Sequence, residues 1–189
     1  GNMTIIAKDT FSGCTGLRSI VIPDNVTSIG EGAFKGCVGL ASVTIPDSVT
    51  YIGWGAFASC TGLTSVDIPD SVTDISLSAF SGCTSLKAIS VGKENKSYSS
   101  NKGVLFSKDK TELLLCPYAK TGSYSVPTTV KTIKKNSFDH CTGITSVVIS
   151  KNVTKVESNA FVECSSLKSV KISGNASIGS SAFLDCKAL

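Results

Sequence analysis

The chain has 189 residues, 41% of them hydrophobic, and a net charge of +4. That length suits one domain or two, and so small a net charge gives no support to a general nucleic-acid role. No run of about 20 apolar residues is present, so no membrane-spanning helix is expected. The total conceals an asymmetry: residues 1–90 hold 4 basic and 7 acidic side chains, whereas residues 91–189 hold 14 and 7. The basic half either faces an acidic partner or presents solvated lysines on a repeat surface.

In chain order, the first complete phrase is Ile22-Pro-Asp-Asn-Val-Thr-Ser-Ile-Gly-Glu-Gly-Ala-Phe-Lys-Gly-Cys-Val-Gly-Leu40. It returns as Ile45 to Leu63, displaced by 23 residues. Phe stands at 11, 34, 57 and 80, and again at 138, 161 and 183. A Cys follows each by three residues and an aliphatic residue by six. A fixed period of this length predicts a stacked array of about eight units, each unable to bury its apolar face alone. The chain begins and stops inside units and does not begin with Met, so a segment of a longer protein is expected.

Each unit follows one plan. Leu-x-x-Ile/Val-x-Ile/Val, as in Leu17 to Ile22, places apolar side chains at alternate positions and predicts a strand. Pro23, Pro46 and Pro69 end that strand, because proline cannot continue the hydrogen-bond ladder. Val26 and Ile29, with their equivalents, predict an extended return path, and Gly30 and Gly53 a bend in it. Ala-Phe-x-x-Cys (Ala33 to Cys37) predicts a single helical turn with Ala, Phe and Cys inward. Successive strands should pair in parallel.

The period breaks at 92–123, where the equivalent positions Val91 and Val126 stand 35 apart. Two β-prone runs, Gly103 to Ser107 and Glu112 to Pro117, flank Lys-Asp-Lys-Thr and predict a hairpin. The hairpin must pass the stack onward, so a single domain, 1–189, is expected.

Leu-x-x-Ile-x-Ile-Pro-x-x-Val-x-x-Ile-x-x-x-Ala-Phe-x-x-Cys resembles the BspA-like class of leucine-rich repeats. Tyr98 to Pro117 resembles a variant unit of those proteins. The resemblance covers essentially the whole chain. It implies an α/β solenoid: a right-handed superhelix with a parallel β-sheet on the concave face, short helical turns on the convex side and one hairpin-containing insert. It also implies an extracellular or cell-surface protein of bacteria or protists. Some relatives bind matrix or plasma proteins or mediate adhesion. The family carries no common catalytic residues and no fixed ligand motif. This chain departs from the pattern at Thr121, where Leu is expected, at Ser150 and Ser173 in place of proline, and at Ala176 in place of Val.

Seven of the eight cysteines share one repeat position and should point into the core as free, buried thiols, with Cys116 outside the series. No short Cys or His spacing suggests a metal, and no cofactor is expected. His140 is the only histidine. Its neighbour Cys141 is a core position by periodicity, so a nucleophile–base pair is not expected, nor is an enzyme. Asn-x-Ser/Thr occurs at Asn2, Asn25, Asn95, Asn152 and Asn175, and exposed copies could carry glycans in a protist protein.

Function should therefore lie in what does not repeat. On the outward strand face one column, Ser19, Ser42, Ser65, Ala88, Ser146 and Ser169, is nearly uniform. The next, Val21, Thr44, Asp67, Ser90, Val148 and Lys171, varies and is the candidate concave-face binding site. Phe106, Lys108, Lys110 and Tyr118 of a projecting hairpin, and Trp54 on the convex side, are the rival candidates. The expected partner is a matrix, plasma or mucosal protein, or a glycan. The alternative is a structural spacer with no ligand of its own. Uncapped repeat ends also predict end-to-end self-association.

Overall fold

The structure, a computed structural model, describes residues 4–189. Residues 1–3, with the sequon at Asn2 and the start of the first, partial repeat at Met3, lie outside the described residues. The chain forms two compact units, Gly1–Ser100 and Asn101–Leu189.

In the first unit the alternating apolar positions form strands Ser19–Val21, Ser42–Thr44, Ser65–Ile68 and Ala88–Val91. They pair in parallel at a 23-residue displacement, Ile20 beside Val43 and Val66 beside Ile89. Each of the first three strands stops before its proline, and the Val26 N–H then closes a turn on the Pro23 carbonyl at 3.0 Å. The return paths Ile5–Ile6, Ser28–Ile29, Tyr51–Ile52 and Asp74–Ile75 make a second, four-stranded parallel ladder. Between the two ladders Val49, Ile52, Ala56, Phe57, Cys60 and Leu63 are fully buried. Phe11, Phe34, Phe57 and Phe80 stack in a column, with ring centroids 5.2–5.5 Å apart and planes within 7°.

The expected helical turns do not form, and the class is all-β rather than α/β: among the described residues no helical turn is present. Backbone hydrogen bonding gives the reason. In residues 30–37 the N–H groups of Ala33, Lys35 and Cys37 bond three residues back within their own coil, to Gly30, Gly32 and Phe34. The intervening N–H groups of Gly32, Phe34 and Gly36 reach across to the carbonyls of Trp54, Ala56 and Ala58 in the next coil. A helix needs consecutive N–H groups for itself. Here every second one is spent on the neighbour. Left-handed residues four apart bracket most of these Phe segments, as at Gly32 (φ 60°) and Gly36 (φ 72°), or Asn136 (φ 58°) and His140 (φ 55°). A right-handed helix cannot run through them.

Gly30 and Gly53 do not make the bend their position predicts. Neither has a positive φ; a Cβ on Gly30 would stand 2.8 Å from the Ile6 carbonyl oxygen, and one on Gly53 2.8 Å from the Glu31 nitrogen. These glycines permit close approach of adjacent coils, not a bend.

At the end of the first unit, side chains take over from backbone. Asn95 is fully buried. Its Nδ2 donates to the carbonyls of Pro69 (2.8 Å) and Val72 (2.9 Å), and its Oδ1 accepts from the N–H groups of Ser97 and Tyr98. The Tyr98 hydroxyl accepts the Ile75 N–H at 3.0 Å, and the Ser100 hydroxyl accepts that of Val91 at 3.1 Å.

In the second unit strands Gly122–Ser125, Ile144–Ile149 and Ser169–Ile172 form a three-stranded parallel sheet. The predicted hairpin is present: Val104–Ser107 runs antiparallel to Glu112–Leu115. The other edge of Glu112–Leu115 pairs in parallel with Thr132–Ile133, which continues to Lys155–Val156 and Ser177–Ile178. Phe138, Phe161 and Phe183 stack at 4.5 and 5.1 Å, and Tyr124 meets Phe138 edge-on.

Candidate functional site

Strand alternation sends one residue in two away from the core, and the sheet register decides which of these become neighbours. In the first unit Val21 lies beside Thr44 and Asp67 beside Ser90, all four exposed. Val21 is 87% exposed. Asp67 and Ser90, with Asp47, line a shallow depression of about 340 Å³. In the second unit Val148 lies beside Lys171, and on its other side stands Ser125, which belongs to the same column. Ser125 was legible: aligning Val126-Pro127 with Ile22-Pro23 puts it in the Val21 position, but Thr121 in place of Leu hid where the repeat begins. The nearly uniform column also gains Ser123, whose hydroxyl accepts that of Ser146 at 2.7 Å.

The hairpin does not project. Val104, Leu105, Phe106, Leu113 and Leu115 are buried, and Phe106 is fully so in the core of the second unit. Phe106 and Tyr118 are therefore packing residues and cannot anchor a partner. The tip remains as a basic feature. Asp109 accepts hydrogen bonds from the Ser107 hydroxyl and from the Thr111 backbone and hydroxyl, which hold its carboxyl below the usual range. Lys108 beside it is exposed and Lys110 half-buried. Trp54 is 57% exposed, on the turn whose carbonyl receives the Gly32 N–H. Tyr51, three residues earlier, and Leu77, its counterpart in the next repeat, are exposed too.

The cysteines are free, and all but Cys14 are buried. Packing is only part of their role. The thiols of Cys37, Cys60, Cys83 and Cys164 each donate to a Phe carbonyl in the preceding coil, at 3.1 Å. Burial pushes the Cys60 and Cys83 thiols up to about 12. Cys141 is fully buried with its Sγ toward the Cys116 and Pro117 carbonyls, so it is no nucleophile. His140 is held by Asp139 (2.7 Å) and by Glu163 (3.1 Å) of the next coil. Among the described residues no group of His, Cys, Asp or Glu is arranged to hold a metal ion.

The second unit carries a further constellation that the sequence pattern did not reveal. Lys134 lies 3.4 Å from both Glu112 and Glu157. Burial works against its charge, yet the two carboxylates hold its ammonium above the usual range. Glu157 also receives the Lys135 N–H at 2.9 Å and lies 3.4 Å from the Lys155 ammonium. Partial burial opposes its charge, but the Lys135 N–H and the Lys134 ammonium hold its carboxyl below the usual range.

In each unit two parallel ladders, a column of stacked phenylalanines and an outward strand face define a leucine-rich-repeat solenoid. The BspA type leucine-rich repeat region, in six copies, matches residues 2–108 and 117–189, and the chain belongs to that family. A leucine-rich cell surface protein of Faecalibacterium prausnitzii A2-165 is similar in structure, with a TM-score of 0.83 and 32% identity over 97% of this chain and 49% of that one. The pneumococcal vaccine antigen PcpA gives 0.74 and 29% over 82% of this chain and 39% of that one. A leucine-rich repeat protein of T. pallidum gives 0.53 and 26% over 98% and 71%. The chain thus spans less than half the length of the first two proteins. No curated protein gives a significant sequence match. No helix among the described residues is long and apolar enough to cross a membrane.

Proposed function

We propose that this chain is an adhesion or protein-interaction module of a cell-surface or secreted protein, and that it reads its partner with the outward faces of its main strands. The observation that carries this reading is the division of labour within the repeat. The fixed positions, Val, Ile, Ala, Phe, Cys and Leu, are consumed by stacking, while Val21, Thr44, Asp67, Ser90, Ser125, Val148 and Lys171 are exposed and differ from coil to coil. Kinship with a leucine-rich cell surface protein and a vaccine antigen supports the surface setting. The partner class is a matrix, plasma or mucosal protein, or a glycan. The test is binding of the chain to immobilised matrix proteins, mucins and glycans, repeated with Val21→Lys and Thr44→Lys. Binding lost in these variants supports the reading, and binding that ignores them removes this face from it.

A spacer reading is favoured by one specific feature: the outward columns hold no aromatic residue and no arginine, the usual anchors of tight interfaces. Silence across the whole panel would select it. End-to-end association is the third component of the proposal. Ile172, Ile178, Leu184 and Leu189 are exposed at the last coil, beside the edge strand Ser177–Ile178. Light scattering that reports a monomer at high concentration would remove it.

A further inference from the structure

The second unit holds 12 lysines against 6 carboxylates, and no arginine. Three of the lysines stand on or beside its return ladder. Lys135 and Lys155 line an open cleft of about 480 Å³ with the hydroxyl-bearing Ser158 and Ser177. Lys131 stands just beyond that lining, at the head of Thr132–Ile133 and four residues before Lys135: its carbonyl accepts the N–H groups of Thr154 (2.8 Å) and Lys155 (3.2 Å). One carboxylate, Glu157, enters the same cleft, but it is committed. Its side chain is only 19% exposed and is met by Lys134, by Lys155 and by the Lys135 N–H. Glu157 thus offsets part of the charge of Lys134 and Lys155 and leaves that of Lys131 and Lys135. The ammonium groups of Lys131 and Lys135 have no ion-pair or hydrogen-bond partner among the described residues.

We propose that this cleft binds an anionic polysaccharide, with Lys131, Lys135 and Lys155 meeting its sulfate or carboxylate groups and Ser158 and Ser177 its ring hydroxyls. The inference rests on the adhesion reading and names a ligand class for it. Lys131 and Lys135 stand at the two ends of Thr132–Ile133, and Lys155 lies beside Thr132 on the next strand, about 4.8 Å over, so a linear polyanion lying along the ladder can meet charges on both strands. Single-stranded nucleic acid is the disfavoured polyanion. It calls for aromatic or guanidinium faces on which bases stack, and the cleft has neither. Lysines suit sulfate and carboxylate as point charges.

The experiment uses the whole 189-residue chain and a fluorescent heparin octasaccharide, read by anisotropy at low salt. A hyaluronate octasaccharide and an oligothymidylate of matched charge are run in parallel. Replacing Lys131, Lys135 and Lys155 with Gln should weaken binding about tenfold or more. The triple variant Lys102→Gln, Lys168→Gln, Lys187→Gln changes net charge equally and should lose less than about twofold. Thermal melts of both variants should match the parent. Heparin binding without hyaluronate binding assigns sulfate, and the reverse assigns carboxylate. The proposal is overturned if neither glycan binds, if both triple variants lose equally, or if the oligothymidylate binds as tightly through the same lysines. Failure here alongside intact binding to a matrix protein would sink the cleft and leave the adhesion reading standing.

Discussion

The thiol of Cys60 donates a hydrogen bond to the carbonyl oxygen of Phe34, 3.1 Å away and one coil back, while that same oxygen accepts the Cys37 N–H at 3.1 Å. The two repeat residues most visible in the sequence are thus bonded to each other between coils. This arrangement sets a pH dependence. Burial raises the Cys60 and Cys83 thiols from 9.0 to about 12. Between those values the folded chain keeps protons that the unfolded chain has lost, so stability falls as pH rises. The contribution is complete below pH 9 and is withdrawn from pH 9 toward 12. Urea melts across that range should show a falling midpoint, and Cys60→Ala with Cys83→Ala should flatten the decline.

Phe57 lies between Phe34 and Phe80, with no exposed surface and nearly parallel rings on both sides. Phe57→Ala should cost about 3–5 kcal/mol. The partly exposed Phe11 at the end of the column should cost less. Thermal melts followed by circular dichroism would check both, and an unchanged Phe57→Ala midpoint would contradict the stacked core.

Ser137 occupies the position that Ala33, Ala56, Ala79 and Ala160 hold elsewhere, and it is fully buried. Among the described residues its hydroxyl has no hydrogen-bond partner. A buried unsatisfied hydroxyl costs about 1–3 kcal/mol. Ser137→Ala should therefore stabilise the second unit, by about 1–2 kcal/mol in a denaturant titration. The reverse change, Ala160→Ser, should destabilise it.

How far the sequence speaks depends on which force sets the feature. Periodic burial is written in every unit, so the parallel strands, the Phe and Cys columns and the hairpin at 104–115 were all legible. The helical turn was not. Ala33 to Cys37 has a helical pattern of apolar residues, but bonding to the next coil overrides it, and only the left-handed residues at fourfold spacing hint at this. Phe106 looked like a projecting anchor because local sequence cannot show that a hairpin's second strand joins the return ladder. The lysine cleft was hidden for the same reason: Lys135, Lys155 and Ser177 are distant in sequence and meet only through the register of Thr132–Ile133, Lys155–Val156 and Ser177–Ile178.

Asn95 sits in a glycosylation sequon, yet all of its polar capacity is used inside the fold. Asn95→Ala removes four hydrogen bonds and leaves the Pro69 and Val72 carbonyls without their side-chain donor. A loss of about 3 kcal/mol or more is expected. Tyr98→Phe, which strips only the acceptor of the Ile75 N–H, should cost about 1–3 kcal/mol. Hydrogen exchange at Ile75 would report that change directly, with faster exchange in the variant. Glycan mapping after expression in a eukaryotic host should find Asn95 unmodified.

Glu112–Leu115 is antiparallel to its partner on one edge and parallel on the other. It therefore works as a coupling between two directions of chain travel. Whatever length of peptide precedes it, the coils after it inherit their alignment from Leu113 beside Ile133 and not from the count of residues. The tip at Lys108 to Lys110 is consequently a place where new segments can be spliced in and held at the surface while the rest of the second unit keeps its frame.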